Sequence, residues 1–339
     1  MNIQDQFPLT PALLSALAPT QIVSHRTQRS IGAPLSVSLA EFSPADQTII
    51  SELYRALSEL FNVLEGVRED VGASRSGIRA FTQRVGWSAL VKATQQLGRS
   101  ALDQPLNQRR SAVIHDLRGG SLTALAINIQ LLELGMLEAN DVLRLFFLTR
   151  DHLKMMRNGI YDLDQPRYER DLQQRPHRVQ LLVEKWSAAS YRLQQQAAEI
   201  VVDCRFDGVV SERCIEFAAL DRVLYNLINN AVRFTADGRV YLAIFPLEQS
   251  QNVRFVVYNQ TTEEHRQRLH ERFGDDLGQL FRGGFTTGGT GLGMRICAEF
   301  VTDAYGVGSV EHGLEQGYVG VQLREGYFVT WAHWPMVAD

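Results

Sequence analysis

The stretch Leu224-Tyr225-Asn226-Leu227-Ile228-Asn229-Asn230-Ala231-Val232-Arg233-Phe234-Thr235 sets Asn226, Asn230 and Arg233 at intervals of four and three residues. That spacing puts all three on one face of a helix. Two carboxamides and a guanidinium on one face suit a metal-bound polyphosphate: amide oxygens can ligate Mg2+, and the guanidinium can meet phosphate oxygens. Leu224, Leu227, Ile228 and Ala231 supply an apolar side for packing. Alone, the pattern fits many amphipathic helices with a solvated face, so its meaning depends on its flanks.

Downstream lies Leu280-Phe281-Arg282-Gly283-Gly284-Phe285-Thr286-Thr287-Gly288-Gly289-Thr290-Gly291-Leu292-Gly293-Met294, and upstream lies Ile114-His115-Asp116-Leu117-Arg118. In this order the three segments resemble the H-box, N-box and G2/F-box of sensor histidine kinases, over roughly residues 105–339. The N-box and the glycine segment match specifically and the H-box in part. The resemblance implies that Asn230 holds Mg2+, that Asn226 and Arg233 meet the phosphates of ATP, and that His115 accepts the γ-phosphoryl group. It further implies that Phe281 and Phe285 anchor a lid over the nucleotide.

The residues themselves are consistent with these roles. Gly289, Thr290, Gly291, Leu292 and Gly293, preceded by Phe285 and Thr287, open a predicted helix. Glycines let backbone approach phosphate closely, and a helix N-terminus presents free N–H groups and a positive dipole end. At position 226 the chain has an amide. Gyrase-like and MutL-like relatives of this ATPase fold carry a water-activating Glu there. An amide is no base at neutral pH, which suits phosphoryl transfer to a side chain better than hydrolysis. After the strand ending at Tyr258, kinases of this kind usually have Asp-x-Gly-x-Gly, whereas this chain reads Asn259-Gln260-Thr261-Thr262-Glu263. Asn259 keeps an acceptor for the adenine amine and loses the charge, a change of about 1 kcal/mol.

His115 is followed by Asp116, which can accept one ring N–H and leave the other nitrogen nucleophilic. Gly119 and Gly120 stand where most such kinases have Thr or Asn and then Pro. Two glycines inside a helix cost roughly 1 kcal/mol each relative to Ala. The polar residue usually associated with dephosphorylating a partner is missing at 119.

The 339 residues carry a net charge of -4, with 45% hydrophobic and 21% charged residues. Two or three ordinary globular domains are expected, with no bias toward nucleic acid. No apolar run approaches the ~20 residues of a membrane span. The N-terminus shows no basic region followed by an apolar one. The expectation is a cytoplasmic protein with no membrane insertion. Cys204, Cys214 and Cys297 show no C-x-x-C spacing, which argues against a disulfide framework or a zinc site.

The fold class expected is multidomain: a helical N-terminal region, a helical hairpin forming a four-helix bundle, and a C-terminal α+β sandwich. Residues 1–44, with five prolines, read as an arm containing a candidate strand at 31–39. Residues 45–104 are helical, starting at the Ser43 cap with Pro44 at the first position and resuming over 77–97. Residues 105–165 hold the hairpin, whose two helices bury too little alone and call for a second copy, a homodimer. Residues 166–339 alternate helix and strand, with a helix expected over 179–196 and the charge run 263–271 taken as a solvated face beside a lid.

Three functions compete. The leading one is a histidine kinase using ATP and Mg2+, with His115 passing phosphate to an aspartate of a response regulator. The second is a phosphorelay carrier or scaffold whose C-terminal domain no longer binds ATP. The third is a regulatory binding module in which His115 plays no part.

Overall fold

The structure is a computed structural model that describes residues 7–26, 36–67, 71–99, 108–136, 139–187, 190–193, 196–247, 250–283 and 291–337. The chain divides into two compact units, residues 33–171 and residues 1–32 together with 172–339. The helical unit is therefore inserted between the first segment and the rest of the sheet-bearing unit. The segment containing helix α1 (Pro11–Ser15) folds with the second half of the chain, so the units cut across the four segments read from the sequence.

In the helical unit, α2 (Pro44–Val67) begins where the Asp46 N–H donates to Ser43 Oγ at 3.2 Å. Its buried row, Ile50, Leu53, Leu57, Leu60 and Leu64, follows helical spacing. The helical stretch expected over 77–97 is two helices, α3 (Val71–Val85) and α4 (Trp87–Thr94), because Gly86 sits in the left-handed region at φ 63° and ends the first. The hairpin follows as α5 (Gln108–Arg118), α6 (Gly120–Glu133) and α7 (Ala139–Gly159). Its first arm is broken at Gly119, whose backbone is extended at φ -69°, ψ -172°. A Cβ at 119 would lie 2.9 Å from the His115 carbonyl oxygen, so the break depends on the absence of a side chain. Finally α8 (Gln165–Leu172) is tied back where Arg157 donates through Nε and Nη2 to Asp171 at 3.1 and 2.9 Å.

One apolar core runs through this unit, from Leu53, Leu57 and Phe81 to Ile114, Leu125, Leu145 and Met156. Phe61 of α2 stacks on Phe146 of α7 at 5.1 Å. Helices from residues 44–94 thus pack on the hairpin within the same chain. Of the candidate strand at 31–39, Val37 makes a single bridge to Ile160; residues 31–35 lie outside the described residues.

The second unit continues with β1 (Gln174–Arg178), α9 (Gln180–Ser187), β2 (Ser190–Leu193), β3 (Gln196–Cys204) and β4 (Val209–Arg213). The helix expected over 179–196 stops at Ser187. Helical apolar spacing ends at Trp186, and β2 then pairs antiparallel with β3, Ser190 opposite Glu199. There follow α10 (Cys214–Phe234), β5 (Arg239–Leu247), β6 (Asn252–Gln260), α11 (Glu263–Phe273), α12 (Gly293–Tyr305), α13 (Val310–Glu315), β7 (Val319–Arg324) and β8 (Tyr327–Pro335). The main sheet has six strands in the order β2-β3-β5-β6-β8-β7, with β3 and β5 parallel and every other pair antiparallel; β1 and β4 form a separate ribbon.

Alternation along the strands gives the sheet two faces. Val240, Leu242, Ile244, Phe255 and Val257, all fully buried, form the inner face under α10 and α12. Tyr241, Ala243, Val256, Tyr258, Val329 and Trp331 form the outer face, which the arm covers with Leu9, Leu14 and Leu17. The arm is also held by polar contacts. Arg254 on β6 donates to the carbonyls of Leu14, Ser15, Ala18 and Pro19 at 2.7–3.0 Å and, through Nε, to His333 Nε2 at 2.8 Å. Burial lowers the Arg254 pKa to about 10, and burial beside Arg254 lowers that of His333 to about 3, so the ring stays neutral and can accept.

Candidate functional site

Helix α10 carries the polar face read from the sequence. It starts at Cys214, ten residues before the quoted stretch, and Lys185 Nζ fixes it to α9 by reaching both carboxylate oxygens of Asp221 at 2.7 Å. Leu220, Val223, Leu224, Leu227 and Ile228 are buried. Asn226 is buried too, while Asn230 and Arg233 are half-buried on the same face. Partial exposure is what a group needs if it is to meet a ligand and still be held in place.

Two other elements converge on this helix. The first is the N-terminus of α12. A Cβ at Gly293 would sit 3.5 Å from Asn226 Oδ1, so the helix start lies against the Asn226 amide. The Arg222 guanidinium lies 4.8 Å from the Phe300 ring centre, and the Cys297 thiol donates to the Val223 carbonyl at 3.5 Å, which together hold α12 on α10. Burial pushes the Cys297 thiol well above its usual range, so it acts as packing. Gly291 is in the left-handed region at φ 70°, and Leu292 caps α12. Phe285, Thr287, Gly289 and Thr290 lie outside the described residues. Phe281 is fully buried, which makes it a core aromatic.

The second is the end of β6. Thr235 and Thr261 form an antiparallel bridge, and the Ala236 N–H donates to the Gln260 carbonyl at 2.8 Å. The end of α10 is thereby joined to the strand that carries Asn259. Following Tyr258 of the outer face, Asn259 belongs to the inner face and is fully buried. Its Nδ2 donates to the Gln260 carbonyl at 3.1 Å, and its Oδ1 has no hydrogen-bond partner. Leaving a buried acceptor unmade costs about 1–3 kcal/mol, and a ligand amine would remove that penalty. Asn229 Oδ1 and Thr261 Oγ1 are likewise buried without partners. The sequence reading passed over both. Their one signal was adjacency, Asn229 to Asn230 and Thr261 to the Asn259 segment.

The charge run 263–271 is not solvated all round. In α11, His265 and Leu269 are buried, and His265 stacks on Phe234 at 4.2 Å with the rings 10° from parallel. Burial, with Arg268 nearby, lowers its pKa. The other side of the helix carries the ion pairs Arg266–Glu263 and Arg268–Glu264.

In the helical unit, His115 lies on α5, four residues before the break at Gly119, with its side chain 17% exposed. His115 Nδ1 and Asp116 Oδ1 are 3.0 Å apart. With the proton on Nδ1, Asp116 accepts it and the nucleophilic lone pair is the one on Nε2. A second polar pair was not read from the sequence: Ser121 Oγ and His152 Nδ1 hydrogen-bond at 2.7 Å, both buried. Burial lowers the His152 pKa to about 3.

Residues 216–336 match the family of histidine kinase-, DNA gyrase B- and HSP90-like ATPases. The match starts inside α10 and ends one residue past β8. The chain resembles sensor histidine kinases. Among solved structures, the catalytic domain of the histidine kinase ThkA shares 20% identity, covering 46% of this chain and 86% of that one, with a TM-score of 0.29. The Acinetobacter baumannii histidine kinase AdeS shares 19% identity over 66% of this chain and 98% of that one, TM-score 0.31. Full-length ShkA in complex with AMPPNP shares 19% identity over 75% of this chain and 46% of that one, TM-score 0.32. No curated protein matches the chain. Among the described residues, no helix is long and apolar enough to cross a membrane.

Proposed function

We propose that the protein is a cytoplasmic sensor histidine kinase that phosphorylates itself on His115 with Mg-ATP and passes the phosphoryl group to an aspartate of a response regulator. The observation that carries this reading is the convergence on α10: the Asn226, Asn230 and Arg233 face, the start of α12 against Asn226, and the unpartnered Asn259 acceptor. The match of this region to a family of ATPases supports it.

In this reading residues 166–339 bind the nucleotide and residues 105–165 carry the acceptor. Asn259 Oδ1 accepts from the adenine amine. Asn226, Arg233 and the backbone of Gly291, Leu292 and Gly293 meet the phosphates, joined by Phe285, Thr287, Gly289 and Thr290. Asn230 holds Mg2+, which when bound neutralises phosphate charge and orients the γ-phosphoryl group. Asp116 keeps the proton on His115 Nδ1. Nε2 forms a bond to the γ-phosphorus as the bond to the ADP oxygen breaks, and ADP leaves with the electron pair. The N–P bond then breaks as an aspartate carboxylate of the regulator takes the phosphoryl group. Homodimer formation belongs to the same proposal; Leu134 and Met136 are exposed at the hairpin tip. Light scattering on the full chain, giving twice the chain mass, is its expected sign.

A second reading, a phosphorelay carrier or scaffold without ATP binding, is favoured by one feature, the loss of charge and glycines at Asn259–Glu263. Incubation with γ-labelled ATP and Mg2+, beside His115→Gln, separates the two. Acid-labile, alkali-stable label on the wild type alone is expected. No label and no nucleotide binding sinks the kinase reading, and label that survives in the variant means a different acceptor.

A further inference from the structure

The arm and the outer sheet face enclose a cleft of about 490 Å³. Small-molecule sites run from about 300 to 1,000 Å³. One side is the arm, with Phe7, Leu9, Thr10, Pro11, Leu14 and Ser15; the other is the sheet, with Ala243, Phe245 and Pro246 of β5 beside Asp203 and Arg205. The Arg205 Nε donates to Asp203 Oδ2 at 2.9 Å.

Three features set this cleft apart from a packing defect. Ala243, Tyr241 and Phe245 point to the same face of β5. The small residue between two aromatic ones opens the space. The arm is clamped just downstream of the cleft, where Arg254 takes the carbonyls of Leu14, Ser15, Ala18 and Pro19, so the wall formed by residues 7–11 is anchored at one end. The third feature is chemical: the lining combines aromatic and aliphatic side chains with the hydroxyls of Thr10 and Ser15 and a paired acid and base. A paired acid and base presents no net charge. It complements a head group that donates to Asp203 and accepts from Arg205.

We infer that this cleft is a binding site for an uncharged, planar aromatic molecule bearing a hydroxyl, amine or amide. The ring system lies between Phe7 and Phe245, and the polar head meets Asp203 and Arg205. The site is on the opposite sheet face from α10 and does not depend on the kinase reading.

N-phenyl-1-naphthylamine, an uncharged aromatic amine whose fluorescence rises in apolar surroundings, is the probe. Titrated into the full chain, it is expected to bind one site per chain with Kd on the order of 10 µM. Ser15→Trp, exposed on the arm and at the cleft, should weaken binding about tenfold by filling the mouth. Asp203→Asn should weaken it less. Thermal melting of each variant, unchanged from wild type, separates lost binding from lost folding. If Ser15→Trp does not fold, Phe245→Ala, which removes one aromatic wall, serves in its place with the same expected loss. Absence of saturable binding to the wild type overturns the proposal. So does binding that a folded Ser15→Trp or Phe245→Ala chain retains in full.

Discussion

Two polar sites on opposite faces of the six-stranded sheet are built in opposite ways. On the outer face Arg254 makes five hydrogen bonds, four to arm carbonyls and one to His333, whose Nδ1 in turn meets the Tyr318 carbonyl at 3.0 Å. On the inner side Asn259 Oδ1, Asn229 Oδ1 and Thr261 Oγ1 are buried with no partner. A satisfied buried cation holds structure together, because removing it leaves several acceptors stranded. Unsatisfied acceptors stabilise nothing by themselves. They are tolerated where a ligand completes them. Under the proposed function, the difference separates the part of this unit that maintains the fold from the part that meets the nucleotide.

The strongest way to break that comparison is at Asn230. Asn230→Ala should lower labelling of His115 by at least about 100-fold while its melting temperature stays at the wild-type value. A stability loss of the same size would make α10 structural. The opposite pattern is expected on the outer face. Arg254→Met should cost about 3 kcal/mol in urea unfolding, with earlier proteolysis of the arm, and should leave initial nucleotide affinity near wild type.

Acid sharpens the same division. His152 and His333 are held neutral by burial, with pKa lowered to about 3. The unfolded chain binds protons at these rings from about pH 6.5, and the folded chain does not. Their contribution is thus complete above pH 6.5 and is lost as pH falls toward 3. At pH 5 each removes about 2 kcal/mol of stability. Urea unfolding between pH 7 and 5 should show the loss, and His152→Gln should flatten part of the slope. A stability independent of pH over that range would contradict the burial argument for both rings.

The smallest effect is the finest test of the inner face. Asn259→Asp restores a charge facing the adenine amine and should tighten ATP binding by about fivefold, roughly 1 kcal/mol, read by nucleotide titration. Unchanged affinity would mean that the orphaned Asn259 oxygen does not meet the base.

Much of the fold was legible because periodicity reports burial. The strand ending at Tyr258, the α10 spacing and the Ser43 start were each visible in local sequence, and the structure has them. The expected helix over 179–196 failed, because the strand identity of 190–193 comes from pairing with β3, a contact no local window contains. The helix break at Gly119 was half legible, since the glycine pair announced weakness there, whereas the break at Gly86 was not read within the stretch 77–97; the extended and left-handed backbones at these two sites are set by packing. In the candidate site, Asn226, Asn230 and Arg233 could be found by spacing on one helix. Asn229 and Thr261 could not, since an unpaired atom is a property of its surroundings.

By itself the sequence determined the α10 polar face, the order of the helical and mixed regions, and the His115–Asp116 neighbourhood, because each is written within one or two turns of chain. Only the tertiary structure decided that residues 44–94 pack on the hairpin within the same chain. Only it placed the arm on the outer sheet face and made Arg254 its clamp. The Arg254 clamp joins residues about 240 positions apart, and which distant apolar face and which carbonyls meet depends on how the whole chain packs.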